Sequence, residues 1–130
     1  DVGFLSSCVS SFYKKFLKTN EISHEEIISK KLLPDESIFI IRNDTLFIIE
    51  MKFQEVAGSV DEKLQTCDFK KKQYKKLLKR TKIKVEYVYI LNDWFKHKSY
   101  KDVLDYIKSV GCHYFFETLP FDFLGLPISK

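Results

Sequence analysis

The chain has no run approaching the roughly 18 uninterrupted apolar residues that a membrane-spanning helix needs, and its amino end lacks the charged-then-apolar pattern of a signal peptide. The expectation is a soluble, intracellular, cytoplasmic protein with no membrane partner. Cysteine is equally sparse. Cys8, Cys67 and Cys112 are odd in number, far apart and outside any metal-ligand spacing, which argues against a disulfide framework and leaves reduced core residues as the expectation. His24, His97 and His113 are scattered too, so neither a zinc cluster nor a nucleophile–histidine pair is marked out. The sequence also shows no repeats and no low-complexity linker.

Apolar material, by contrast, is sufficient for a core. At 130 residues, 45% hydrophobic and 15% aromatic, the chain reads as a single domain over residues 1–130. Its formal charge of +4 hides an uneven distribution. Between Lys63 and Lys84 stand ten basic residues against one acid, Asp68, while the other segments hold 12 basic and 17 acidic residues. A basic block in an otherwise mildly acidic chain points to a polyanion-facing surface, although a solvated lysine-rich helix face has the same composition.

Hydrophobic spacing sets out the elements. Phe4, Leu5, Cys8, Val9, Phe12, Phe16 and Leu17 recur at helical intervals and predict an amphipathic helix over residues 3–18. Ser23, with Glu26 three residues on, matches a capping box for a short helix over 23–30. Two β-rich runs, 37–42 and 45–53, flank Asn43-Asp44, a dipeptide suited to a tight hairpin turn. Ser59 or Asp61 is placed to cap a long helix reaching about residue 82, with Leu64, Cys67, Tyr74, Leu77 and Leu78 as its apolar stripe. A strand over 85–91, a helix over 99–110 ending at Gly111, and a strand over 112–117 follow. The tail from Leu119 reads as an irregular packed cover. This order predicts an α/β fold with a mixed sheet: an antiparallel hairpin, then a strand returning parallel to one of its arms.

The hairpin carries charges that a hairpin does not need. Residues two apart on a strand share a face, so Glu50, Lys52 and Gln54 line up on one side after the apolar run Leu46–Ile49. Counting outward from the turn sets Asp35 opposite Lys52 and diagonal to Glu50, so two carboxylates converge. Carboxylates that share a site repel unless a positive group lies between them. Magnesium, held by one or two carboxylates with water and phosphate oxygens, suits Asp35 and Glu50, with the Met51 carbonyl as a further oxygen. Lys52 is placed to orient or deprotonate a water and to stabilise transition-state charge, and Gln54 to position the water or contact a phosphate. A lone Glu-x-Lys is more often an ion pair on an exposed sheet.

The combination is more specific than its parts. Pro34-Asp35, fourteen intervening residues, Glu50-x-Lys52 at the end of an apolar strand and then a basic helix resemble the PD-(D/E)XK nuclease superfamily, over most of the chain from about residue 4 to 117. The resemblance implies a restriction-endonuclease-like core: a helix, a three-stranded antiparallel meander, a second helix and a further strand, with one short strand required near residues 27–33. It implies metal binding by Asp35 and Glu50, catalysis involving Lys52, and magnesium-dependent hydrolysis of DNA phosphodiester bonds, with manganese as an alternative ion. Some members add an acid from the first helix; Glu21, Glu25 and Glu26 are the candidates here, Glu25 the one favoured.

Gly58-Ser59 at a helix start offers backbone N–H groups to a phosphate, with Lys63 one turn in, and a capped helix start explains the same residues. Lys72 and Lys76, with Gln65 and Gln73, are placed to track a nucleic-acid backbone, which gives affinity without sequence choice. Asn92, Asp93, Trp94 and His97 form a polar-aromatic loop, in which Trp94 is a base-stacking candidate or, more simply, a rim anchor. The loop around Ser59 favours a restriction-type endonuclease, and a chain this short then needs a homodimer or a partner subunit to cut both strands. A structure-selective enzyme such as a Holliday-junction resolvase, and a non-catalytic nucleic-acid-binding domain of the same fold, are the alternatives.

Overall fold

The computed structural model describes residues 2–5, 17–18, 20–30, 37–55 and 60–125. Asn43 and Asp44 both take positive φ, 52° and 57°, as the two central residues of a type I′ hairpin turn must. With the turn set there, β2 (Ser37–Arg42) and β3 (Thr45–Lys52) pair antiparallel from Arg42↔Thr45 to Ser37↔Glu50, the register counted from the sequence. β4 (Lys84–Leu91) returns parallel to β3, with Thr45↔Lys84 and Lys52↔Leu91 at its ends. β5 (His113–Phe116) adds parallel to β4. At the other edge β1 (Val2–Leu5) pairs antiparallel with β2, completing a five-stranded mixed sheet in the order β1-β2-β3-β4-β5. The observed class is α/β, a mixed sheet flanked by helices.

β1 corrects the predicted first helix. Residues 2–5 are extended because the free edge of β2 supplies their backbone partners, from Val2↔Arg42 to Leu5↔Phe39, and no helical period over four residues outweighs a ladder of main-chain bonds. Residues 6–16 lie outside the described residues, and the chain is helical at Leu17 and Lys18. The predicted capping box is not formed: Glu26 N donates to the Ser23 carbonyl at 3.2 Å, while Ser23 Oγ donates to Glu25 Oε2 at 2.9 Å. Helix α1 (His24–Ile27) is accordingly one turn long. The strand required near residues 27–33 is not found in its described part, Ile27–Lys30, and β2 takes β1 as its antiparallel neighbour.

The long helix is two helices. α2 (Val60–Leu64) stops, and α3 (Cys67–Leu77) starts, around Gln65 and Thr66. Thr66 Oγ1 donates to the Lys63 carbonyl at 2.7 Å, a local bond that competes with the helical ladder, and the backbone tightens to three-residue turns, Gln65 N→Glu62 O and Thr66 N→Lys63 O. α3 ends at Leu77, short of the predicted residue 82, where Thr81 Oγ1 bonds the Leu78 carbonyl in the same way. Helix α4 (Lys101–Ser109) ends as expected. Gly111 sits at φ +78°, with Gly111 N→Lys108 O and Cys112 N→Ile107 O closing a Schellman motif.

Strand alternation divides the apolar residues between two faces. Leu46, Ile48, Tyr87, Tyr89 and Leu91 pack with Tyr74, Leu77 and Leu78 near α3 and Ile107 of α4. Phe47, Ile49 and Val88 face the other way onto Leu124, which the 3-10 turn Phe121–Leu124 brings in from the tail. Cys67 and Cys112 are buried free thiols, as expected; their mutual hydrogen bond and burial push Cys67 up, while the same bond draws Cys112 down. Cys8 lies outside the described residues. None of the described helices is long and apolar enough to cross a membrane.

Candidate active site

β3 runs through the centre of the sheet, and Leu46 to Ile49 are all buried. Alternation then turns Glu50 to the same side as Ile48, into the larger core, where it is 0% exposed. A carboxylate there loses its water and must be compensated by charge and hydrogen bonds. Lys52, two residues on and on the same face, brings Nζ to 3.3 Å from Oε2. Lys70 of α3 brings Nζ to 3.1 Å from Oε1, and the Tyr87 hydroxyl donates to the same oxygen. Both lysines keep partial access to water, 14% for Lys52 and 24% for Lys70. The centre is therefore one enclosed negative charge between two cations that reach outward.

The phase of α3 explains why Lys70 is the partner. Cys67, Tyr74 and Leu77 form its buried stripe, and Lys70, three after Cys67 and four before Tyr74, falls within that stripe. Tyr87 stands beside Tyr74 and Tyr89, ring centroids 6.3 Å and 5.8 Å away, and this packing aims its hydroxyl. Tyr89, opposite Glu50 in the ladder, is fully buried, and its hydroxyl lies 3.4 Å from the Lys63 carbonyl. Burial, then the negative charge of Glu50, pushes the Tyr89 hydroxyl far above the ordinary tyrosine range, so it serves as a neutral donor.

Beyond β3, the backbone of Gln54 is clamped by one side chain. Asn92, just past the end of β4, accepts from Gln54 N at 3.1 Å through Oδ1 and donates to the Gln54 carbonyl at 2.6 Å through Nδ2. This holds the exit of β3 against the exit of β4. Gln54 is 8% exposed, and neither Oε1 nor Nε2 of its side chain has a hydrogen-bond partner among the described residues; Glu50 Oε2 has the Lys52 ammonium at 3.3 Å as its partner. Buried orphan polar atoms cost about 1–3 kcal/mol each, so the Gln54 amide marks the end of β3 as a place where an external ligand has something to satisfy. Oxygen donors of this kind suit a hard cation. No group of three or more His, Cys, Asp or Glu suited to a metal is found among the described residues.

Of the sequence candidates, Glu50 and Lys52 are brought together, and Gln54 is buried beyond them. Asp35 and Ser59 lie outside the described residues, as does Gly58. Lys63 is exposed on α2 and contributes its carbonyl to Thr66 and Tyr89. Lys72 and Lys76 are exposed on α3, Lys72 paired with Asp68 at 3.0 Å. Glu25 is exposed in the first turn of α1. Trp94 donates from Nε1 to the Tyr100 hydroxyl at 2.7 Å and packs against the larger core, an anchoring position.

Lys70, Tyr87 and the clamp made by Asn92 were not singled out from the sequence. A signal existed for Lys70: a lysine inside an otherwise apolar stripe implies a buried anion opposite it. No family model, curated protein or solved structure matches this chain.

Proposed function

We propose that the chain is a magnesium-dependent endodeoxyribonuclease of the restriction-endonuclease-like PD-(D/E)XK type. The observation that carries this reading is the enclosed Glu50 carboxylate at the carboxyl end of β3 with the Lys52 ammonium 3.3 Å away on the same face. The hairpin pairing from Arg42↔Thr45 to Ser37↔Glu50 has the register counted from the sequence, and Asp35 itself lies outside the described residues.

Glu50, through the Oε2 that also faces Lys52, and Asp35 would hold the ion. Magnesium, when bound, supplies Lewis-acid polarisation of the phosphoryl oxygen and acidifies a water. The chain's own residues do the remaining work. Lys52 offers its ammonium to the charge that builds on the phosphoryl oxygens. Lys70 and Tyr87 hold Glu50 in one orientation, and Gln54, with free amide atoms, offers a donor and an acceptor to a water or a phosphate. Lys63, Lys72 and Lys76 supply phosphate contacts, and DNA cut in both strands calls for a homodimer or a partner subunit.

The test is cleavage of supercoiled plasmid and of a four-way junction in magnesium, manganese or chelator, comparing the intact chain with Lys52→Ala. Metal-dependent duplex fragments lost in Lys52→Ala are expected. Cutting confined to the junction replaces the restriction reading with the resolvase one, and absence of metal-dependent cutting of either overturns the nuclease assignment in favour of a binding-only domain.

A further inference from the structure

A second feature lies at the opposite end of the sheet, where β3 and β4 begin. Thr45 is five residues before Glu50 on β3, roughly 16 Å at ~3.3 Å per residue, so the two places do not share side chains. A cleft of about 420 Å³ opens there. Lys71 and Lys75, one helical turn apart on α3, Lys79 in the turn that closes the helix, and Lys84 at the start of β4 line it together with the hydroxyl residues Thr45 and Thr81. The acid among the lining residues is Glu86, already engaged by Lys71 at 3.4 Å and by His113 at 3.5 Å. Lys75, Lys79 and Lys84 are exposed and make no ion pair among the described residues.

Lys71 is fixed in place. Its Nζ donates to the Gly111 carbonyl at 2.7 Å and its side chain is 12% exposed; a Cβ at Gly111 would stand 3.3 Å from that nitrogen. An ammonium carries three donors, and the carbonyl and Glu86 occupy two, leaving one for a ligand. Leu78 and Val85, both buried, form an apolar floor, which strengthens electrostatic attraction above it. Four lysines converging on a floored cleft, three without a counter-ion, match an anion with charges repeated along a chain better than a single carboxylate.

We propose that this cleft binds a run of phosphates, donated by a nucleic-acid backbone or by a free polyphosphate. The proposal does not rest on the nuclease reading, since it uses none of the residues around Glu50. The test is fluorescence anisotropy of labelled single-stranded and duplex oligonucleotides in chelator, where no metal-dependent cutting occurs, with inorganic tripolyphosphate as competitor. The variant Lys75→Gln/Lys79→Gln/Lys84→Gln is compared with Lys30→Gln/Lys98→Gln/Lys108→Gln, which removes the same charge from exposed positions elsewhere, and circular dichroism checks that both fold.

The cleft variant is expected to weaken binding about tenfold or more and to reduce the slope of log K against log salt by up to about 2.7, at ~0.9 per lost duplex contact. The control variant should change affinity less than about twofold. Competition by tripolyphosphate identifies free polyphosphate as sufficient, and competition by oligonucleotides alone identifies the backbone. Equal loss in the two variants, or loss in neither, overturns the proposal. Binding is read in chelator and through residues away from Glu50, so a failed cleavage assay leaves this result standing.

Discussion

Glu50→Gln is the most informative single substitution, because it keeps the side chain's shape and removes its charge. Two ammonium groups at 3.3 Å and 3.1 Å each attract the carboxylate by about 5 kcal/mol gross at an effective dielectric near 20. The cost of enclosing the carboxylate, several kcal/mol, offsets most of that. Removing one partner from a fully enclosed pair costs about 3–5 kcal/mol. Lys52 and Lys70 retain a path to water and can swing their heads outward, so the expected loss is lower, about 2 kcal/mol. With a urea slope of about 2 kcal/mol per molar, the unfolding midpoint followed by circular dichroism should fall by about 1 M.

The companion variant, Glu50→Leu/Tyr87→Phe, removes both the buried charge and the hydroxyl that donates to it. Apolar replacement of a buried ionic group is commonly neutral or stabilising, so this variant should recover to within about 1 kcal/mol of the unaltered chain while lacking metal-dependent cleavage. A double variant no more stable than Glu50→Gln would refute the reasoning. Glu50 would then be a structural keystone, held for the fold and not for chemistry.

Lys72→Gln/Lys76→Gln should lower the salt slope of DNA binding by up to about 1.8; an unchanged slope in a salt titration would move the phosphate contacts off this face of α3. Tyr89, whose folded-state hydroxyl is raised by burial and by Glu50, contributes its full stabilisation below the unfolded pKa near 10. Above that pH the unfolded chain releases its proton first, and stability falls by up to about 1.4 kcal/mol per pH unit. Tyr89→Phe should show a shallower alkaline decline in urea midpoints, and an identical decline would refute the assignment. Asn92→Ala removes both bonds to the Gln54 backbone and should cost about 2 kcal/mol. Asn92→Asp can accept from Gln54 N but cannot donate to its carbonyl, so its melting temperature should fall between the two.

The hairpin was legible because its determinants are local. Asn43-Asp44 sets the turn, the turn sets the register, and the register turns Glu50 and Lys52 to one face. β1 was not legible, since Phe4 and Leu5 fit a helical period and their extended form depends on β2, more than thirty residues away in sequence. The break between α2 and α3 turns on one hydroxyl, Thr66 Oγ1 bonding back to Lys63, which a stripe of apolar positions does not report. The same limit hid the clamp between Asn92 and Gln54: it joins two segments 38 residues apart, and only the parallel pairing of β3 with β4 brings them side by side.

The lysines of α3 were read as one basic surface, and helical phase separates them into three roles. Cys67, Tyr74 and Leu77 fix which side is buried. Lys70 falls within that side and neutralises Glu50 at one end of the sheet. Lys71 flanks it and is tied to the Gly111 carbonyl, where with Lys75 it walls the cleft at the other end. Lys72 and Lys76 point to solvent. An α-helix turns 100° per residue, so adjacent lysines that composition counts as equivalent meet different surroundings: a buried carboxylate, a fixed carbonyl and bulk water. Net charge therefore predicts only the long-range attraction of this helix for polyanions. The contacts follow from the apolar stripe, and shifting that stripe by one residue would carry Lys70 away from Glu50 and leave the carboxylate to Lys52 and Tyr87 alone.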